Sequence, residues 1–216
     1  MEESNLNKNM VDGQIKPING MNDDLLSIFY SLDRLDFMPE ALKKMSYMEK
    51  NHVLDLNRTI LKPEIIARIA LSIDLKQSEN VLILGCSTGY LTAILSYQAE
   101  TVIVVEETED LLINAEISIK KYNINNVVFC KNEIIKGYLE QSPFNVIIIE
   151  GAIESVPTNI LDQLDDGGRL FAIISEKGIC SAKLYKKIGQ KFNELQLFNC
   201  SLPPLDIFKS KNSFSF

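Results

Sequence analysis

The chain has 216 residues, 46% hydrophobic and 24% charged, which suits one domain with a complete core better than two small ones. Its 22 Lys and Arg against 29 Asp and Glu leave a formal charge of -7, so a sequence-independent grip on nucleic acid would work against the protein's own field. No run of about 18 apolar residues occurs and the polar start MEESNLNKNM lacks the order of a secretory signal, so the expectation is a cytoplasmic protein with no nucleic-acid or membrane partner.

Residues 1–20 are polar, contain Gly13, Pro17 and Gly20, and predict an arm or irregular cap. Asn22-Asp23-Asp24 then precedes Leu25, Leu26, Ile28, Phe29 and Leu32, an N-cap signal followed by an apolar helical stripe. A short helix is predicted over 39–45 and another over 63–73, opened by Pro63 with Glu64 beside it.

From residue 80 the pattern changes. Short apolar runs at 81–84, 101–105, 127–130, 145–149 and 169–174 alternate with helix-like pieces at 90–98, 109–122 and 157–164. Strands buried on both faces and separated by helices predict a parallel α/β sheet with right-handed crossovers. The stretch 195–200 followed by Pro203-Pro204 predicts a late antiparallel pair at the sheet edge. The expected division is a helical cap over 1–60, a Rossmann-like core over 61–180 and a C-terminal extension over 181–216.

The four cysteines, Cys86, Cys130, Cys180 and Cys200, form no C-x-x-C pair and His52 is the only histidine, so metal-ligand spacing is absent and buried free thiols are expected.

The segment "VLILGCSTGYL" at 81–91 reads as a strand entering a glycine turn that opens a helix, the usual anchor for a cofactor at the carboxyl edge of a doubly wound sheet. Glu106 stands 21 residues after Gly85, the spacing at which an acid reaches a ribose hydroxyl pair. The loop G-C-S-T-G lacks the G-x-G-x-x-G order that seats a pyrophosphate, so S-adenosylmethionine, which has no phosphate, suits it better than a dinucleotide.

The stretches "VLILGCSTGYLTAIL", "PFNVIIIEGAIESVPTNILDQLDDGGRLFAII" and "MVDGQI…DDLLSIFYSLDRLDFMP" together resemble the protein-L-isoaspartate O-methyltransferases, most specifically at Gln163-Leu164 and Gly167-Gly168-Arg169-Leu170. The resemblance runs from about Met10 to about Phe208. It implies an S-adenosylmethionine-dependent Rossmann-like methyltransferase that repairs proteins by methylating the carboxylate of isoaspartyl or D-aspartyl residues. It also implies that Gly85, Cys86, Ser87 and Gly89 flank the methionine part of the cofactor, Glu106 and Glu107 the ribose, and Asn132 and Glu133 the adenine edge. Thr59, Ile60, Leu61 and Lys62 correspond to the substrate motif.

Three positions depart from the family pattern: Ile83 stands for an acid, Ser87 for a glycine and Leu61 for a serine. Glu150, expected at the carboxyl edge of the 145–149 strand, is the candidate to replace the acid. Thr59, Arg58 and Lys62 are the candidates to hold the acceptor carboxylate. Tyr90, Tyr138 and Cys86 are read as packing residues, and no catalytic residue is singled out. The expected partners are proteins or peptides bearing isoaspartyl residues, met by a monomer; a methyltransferase with another acceptor, or a non-catalytic binding protein on the same fold, are the alternatives.

Overall fold

A computed structural model describes residues 3–54, 58–205 and 208. The start of the chain corrects the expectation of an irregular arm. Helix α1 (Glu3–Met10) continues into a π-helical turn, Val11–Ile15, closed by the Lys16 N–H donating to the Val11 carbonyl at 2.8 Å. Met10, Val11 and Ile15 are buried in the core, which is why so polar a segment is held in place. In α2 (Asp23–Ser31) the Asn22 side chain accepts from the Leu25 N–H at 2.8 Å, as an N-cap should, and Leu25, Leu26 and Phe29 face inward.

The short helix expected near residue 40 is a 3-10 turn over Glu40–Met45. Two short antiparallel strands follow, β1 (His52–Val53) and β2 (Thr59–Ile60). They lead into α3 (Pro63–Ile73), whose bounds match the sequence expectation and whose last residue is followed by Asp74 in a left-handed conformation.

The central sheet contains β3 (Asn80–Leu84), β4 (Thr101–Glu106), β5 (Val127–Lys131), β6 (Phe144–Ile153), β7 (Leu164–Glu176), β8 (Ile179–Ile188) and β9 (Lys191–Cys200). Their order is β5-β4-β3-β6-β7-β8-β9, the first five parallel and the last two antiparallel. Helices α4 (Tyr90–Ser96), α5 (Glu109–Lys120) and α6 (Thr158–Leu161) connect the parallel strands.

Two expectations need correction here. The 127–130 strand is not buried on both faces: β5 is the sheet edge, and Val128 is exposed. The helix expected over 157–164 is only α6, because Leu164 already pairs with Phe144 as the start of β7.

Side chains alternate between two cores. Val81, Ile83, Val102, Val104, Val146 and Ile148 pack on one face; Leu82, Leu84, Ile103, Val105, Ile147 and Ile149 pack on the other. Cys86 and Cys180 are buried as expected, whereas Cys130 and Cys200 are only partly so, and all four are free thiols.

Gln163 explains part of its own place in the sequence signature. Its buried amide donates to the carbonyls of Lys136 and Asn159, both at 2.9 Å, and accepts from the Tyr138 N–H at 2.7 Å. Arg169 similarly holds the end of α3, donating to the carbonyls of Ile73 and Asp74 and pairing with Glu79. Gln163→Leu strands three backbone groups, and we expect it to cost about 2–3 kcal/mol, read as a lower urea midpoint at an unchanged slope.

Candidate active site

The order of the sheet places the change of direction at β3, with β4 on one side and β6 on the other. Ligands in such sheets bind where the strand order reverses, outside the carboxyl ends. Beyond Leu84 the chain turns at Gly85 (φ +78°), passes Ser87 (φ +46°) and enters α4 through Gly89 (φ +86°), the turn closed by the Gly89 N–H donating to the Cys86 carbonyl at 2.7 Å. Position 87 is thus left-handed, which is why a glycine suits it and why serine there costs about 1 kcal/mol.

Gly85 is left-handed as well, and it is this φ that calls for glycine: a Cβ there would make only ordinary contacts, 3.7 Å from the Glu150 backbone carbonyl and 3.9 Å from a Glu106 carboxylate oxygen. Glu106 ends β4 and Glu150 lies in β6, and continued alternation sets both on the same face as Ile83. Ile83 itself is sealed in the core, paired in register with Val104 and Ile148. Glu150 therefore sits on the adjacent strand, two residues nearer the carboxyl edge.

Glu106 is wholly buried, at 0% exposure. Its Oε1 accepts from the N–H groups of Glu107 (2.8 Å) and Thr108 (3.0 Å) and from Arg58 (2.8 Å); Oε2 accepts from the Cys86 N–H and from Arg58, both at 3.3 Å. Arg58 is the main correction at the site. The sequence offers it as a candidate to hold the acceptor carboxylate, but its side chain, only 5% exposed, pairs with Glu106 across 48 residues.

Glu150 is also buried, and the strand expected to end at residue 149 continues past it to Ile153. Glu150 is 6% exposed, and its Oε2 has no partner. Burial, with the charge of Glu106 adding to it, pushes the carboxyl up to about 8 despite the opposing influence of Arg34 and Arg58.

Arg34 was not singled out by sequence. It is buried, donating to the carbonyls of Ser46 (2.8 Å) and Leu61 (2.7 Å), with its guanidinium 5.2 Å from the centre of the Tyr90 ring. Burial lowers it to about 10. The stretch "LDRLDFMP" sets it between Asp33 and Asp36, so no local signal marked it as buried. Tyr90 is a packing residue, as expected, and burial, followed by the charges of Glu106 and Glu150, holds the Cys86 thiol well above its ordinary range, which removes it as a nucleophile.

The substrate-motif residues do not share one environment. Thr59 is buried against the glycine loop, its carbonyl accepting from the Ser87 hydroxyl at 3.3 Å and its own hydroxyl unpartnered. Ile60 and Leu61 are core residues. Lys62 is turned outward to Glu49 (3.1 Å) and Glu64 (2.5 Å), at the rim of a groove of about 400 Å³ that also includes Asn51, Arg68, Phe198 and Cys200. Asn132 and Glu133 are exposed around a depression of about 360 Å³ shared with Glu107 and Lys131. The Glu107 carboxylate accepts from the Ile134 N–H at 3.0 Å.

These residues fit an adenosyl sulfonium: a carboxylate at ribose spacing, a left-handed glycine turn beside it, a buried acid with an unpartnered oxygen for an ammonium, and a polar rim for a purine edge.

Comparison with known proteins agrees with this chemistry. Residues 5–205 match the family described as protein-L-isoaspartate(D-aspartate) O-methyltransferase. A protein-L-isoaspartate O-methyltransferase of Aliivibrio fischeri is 31% identical over 174 residues, 81% of this chain and 84% of that protein. One from Syntrophus aciditrophicus is 30% identical over 190 residues, 88% and 87% of the two chains. In structure, a Plasmodium falciparum protein described as belonging to the same enzyme class and solved with S-adenosyl-L-homocysteine superposes with a TM-score of 0.77 at 20% identity, covering 95% of this chain and 98% of its own.

Proposed function

Because this chain belongs to the protein-L-isoaspartate(D-aspartate) O-methyltransferase family, we propose that the two buried acids flanking Gly85 hold its cofactor for methyl transfer to isoaspartyl carboxylates. The protein is an S-adenosylmethionine-dependent methyltransferase, and the reaction is the repair methylation of isoaspartyl residues in proteins. What supports the site assignment is the placement of Glu106 and Glu150 on the two neighbours of β3, on one face, at the reversal of strand order.

In this reading Glu106 accepts the ribose hydroxyls and the Glu150 carboxylate takes the cofactor ammonium that an acid at position 83 would otherwise take. Backbone of Gly85, Cys86, Ser87 and Gly89 lines the methionine part, Glu107 braces the turn below the ribose, and Asn132 and Glu133 border the adenine. When bound, the cofactor supplies an electrophilic methyl group.

The chain needs no general base for the acceptor, because a carboxylate is already ionised at neutral pH. Its task is positioning, and holding donor and acceptor at about 3–3.5 Å supplies several kcal/mol. Thr59 and the backbone of Ile60 and Leu61 form the inner wall, braced from behind by Arg34, while Lys62 marks the groove along which a polypeptide approaches. We propose that it works as a monomer in the cytoplasm; its charge of -7 disfavours a nucleic-acid partner, and no helix among the described residues is long and apolar enough to cross a membrane.

The test is transfer of labelled methyl from S-adenosylmethionine to a synthetic peptide containing one isoaspartyl residue, with the normal aspartyl peptide alongside. Base-labile label on the first peptide alone is the expected result. Equal labelling of both, or of neither, would overturn the acceptor assignment.

A further inference from the structure

Arg58 occupies the group that the cofactor needs. An ionised carboxylate offers about four acceptor sites, and the five contacts to Glu106 fill them. Three come from backbone N–H groups fixed by the turn after β4 and by the glycine loop. The other two come from one side chain. For Glu106 to accept a ribose diol, Arg58 has to leave it.

A guanidinium released inside a buried site needs another anion, because an unpaired buried charge is costly. Three cations lie in or beside the substrate motif, and two are committed elsewhere. Lys62 is bound to Glu49 and Glu64, and Arg34 is fixed by the carbonyls of Ser46 and Leu61, which leaves only its buried Nη1 without a partner, whereas displacement would free the whole fork of Arg58. Leu61, standing where the family has a hydroxyl, is at 0% exposure and offers no polar group from its side chain. Arg58 directly precedes Thr59 of β2, whose carbonyl accepts from the Ser87 hydroxyl of the glycine loop at 3.3 Å.

We propose that Arg58 is a displaceable counter-ion which closes the ribose subsite in the free protein and, once displaced, receives the carboxylate of the acceptor, so that cofactor binds before polypeptide. This rests on the isoaspartyl reading of the site. It assigns to one residue the role of the missing serine hydroxyl, and it makes the acceptor site form only when the cofactor site is filled. A bidentate guanidinium also fixes the plane of a carboxylate, leaving one oxygen to be methylated while the other stays bound.

Calorimetry on the intact protein tests both halves. S-adenosylhomocysteine is titrated into wild type, Arg58→Lys and Arg58→Gln, and an isoaspartyl peptide is titrated into each with and without saturating S-adenosylhomocysteine. Arg58→Gln is expected to bind the nucleoside about tenfold more tightly, since no ion pair has to break, and to bind the peptide in the ternary complex about ten- to a hundredfold more weakly, with Arg58→Lys between. Wild type is expected to bind peptide only with the nucleoside present.

Equal peptide affinity in its absence, or weaker nucleoside binding by Arg58→Gln, overturns the proposal. The wild-type comparison decides even where a variant fails to fold. Wild type that binds nucleoside but never isoaspartyl peptide would instead overturn the acceptor assignment, and the nucleoside titration of Arg58→Gln would still show whether Arg58 guards the ribose subsite.

Discussion

Replacing Glu106 with glutamine is expected to weaken S-adenosylhomocysteine binding by about a hundredfold and to lower the free energy of unfolding by about 3–5 kcal/mol. Glutamine has one acceptor oxygen and an amide that donates, so it meets the N–H groups of Cys86, Glu107 and Thr108 with a donor on one side. It also leaves Arg58 buried without its counter-ion. The first defect acts on the ligand and the second on the fold, and calorimetry and urea unfolding read them separately. Removing both partners of a buried ion pair is milder than removing one, so Glu106→Gln combined with Arg58→Gln is expected to unfold at higher urea than Glu106→Gln alone. A single variant of wild-type stability would mean that the pair contributes nothing. One of wild-type affinity would mean that the ribose binds elsewhere.

Glu106 was legible in the sequence because its place depends on local facts: a strand, a glycine turn, and a count of residues to the end of the next strand. The parallel sheet was legible for a similar reason, since runs of Val and Ile too short for helices have few other uses. What sequence did not disclose was how distant parts meet. Nothing near Arg58 says that its partner lies 48 residues away, and a cation flanked by polar residues reads as solvated until the fold buries it. The opening helix was missed because its polar residues outnumber those that face inward, and because the extra residue of the π-helical turn disturbs the 3.6-residue period between Met10 and Ile15. Glu150 stands between these cases: its place just past the stretch of β6 that pairs with β3 was readable, but the continuation of the strand to Ile153 and its burial beside a second acid were not.

That burial gives Glu150 a signature of its own. A carboxyl that rises from 4.5 to about 8 on folding binds more protons in the native state than in the unfolded one throughout that interval. Stability from this group is therefore full below about pH 4.5 and falls as pH rises toward 8, by about 3–5 kcal/mol when the proton is finally lost. In Glu150→Gln that component vanishes, so the difference in unfolding free energy between variant and wild type should grow in the variant's favour from pH 5 to pH 8. Urea unfolding at several pH values measures it, and the difference cancels the titration of every group that both proteins share. Ligand binding supplies an independent reading. If the Glu150 carboxylate takes the cofactor ammonium, it has to ionise as it does so, and S-adenosylhomocysteine should release close to one proton at pH 6.5–7 and almost none above pH 9. Titrations in buffers of different ionisation heat count that proton. Loss of the release in Glu150→Gln, with affinity reduced about tenfold or more at pH 8, is the expected outcome. A variant that still releases the proton would assign it to another group, and the ammonium would then have to be held without help from β6.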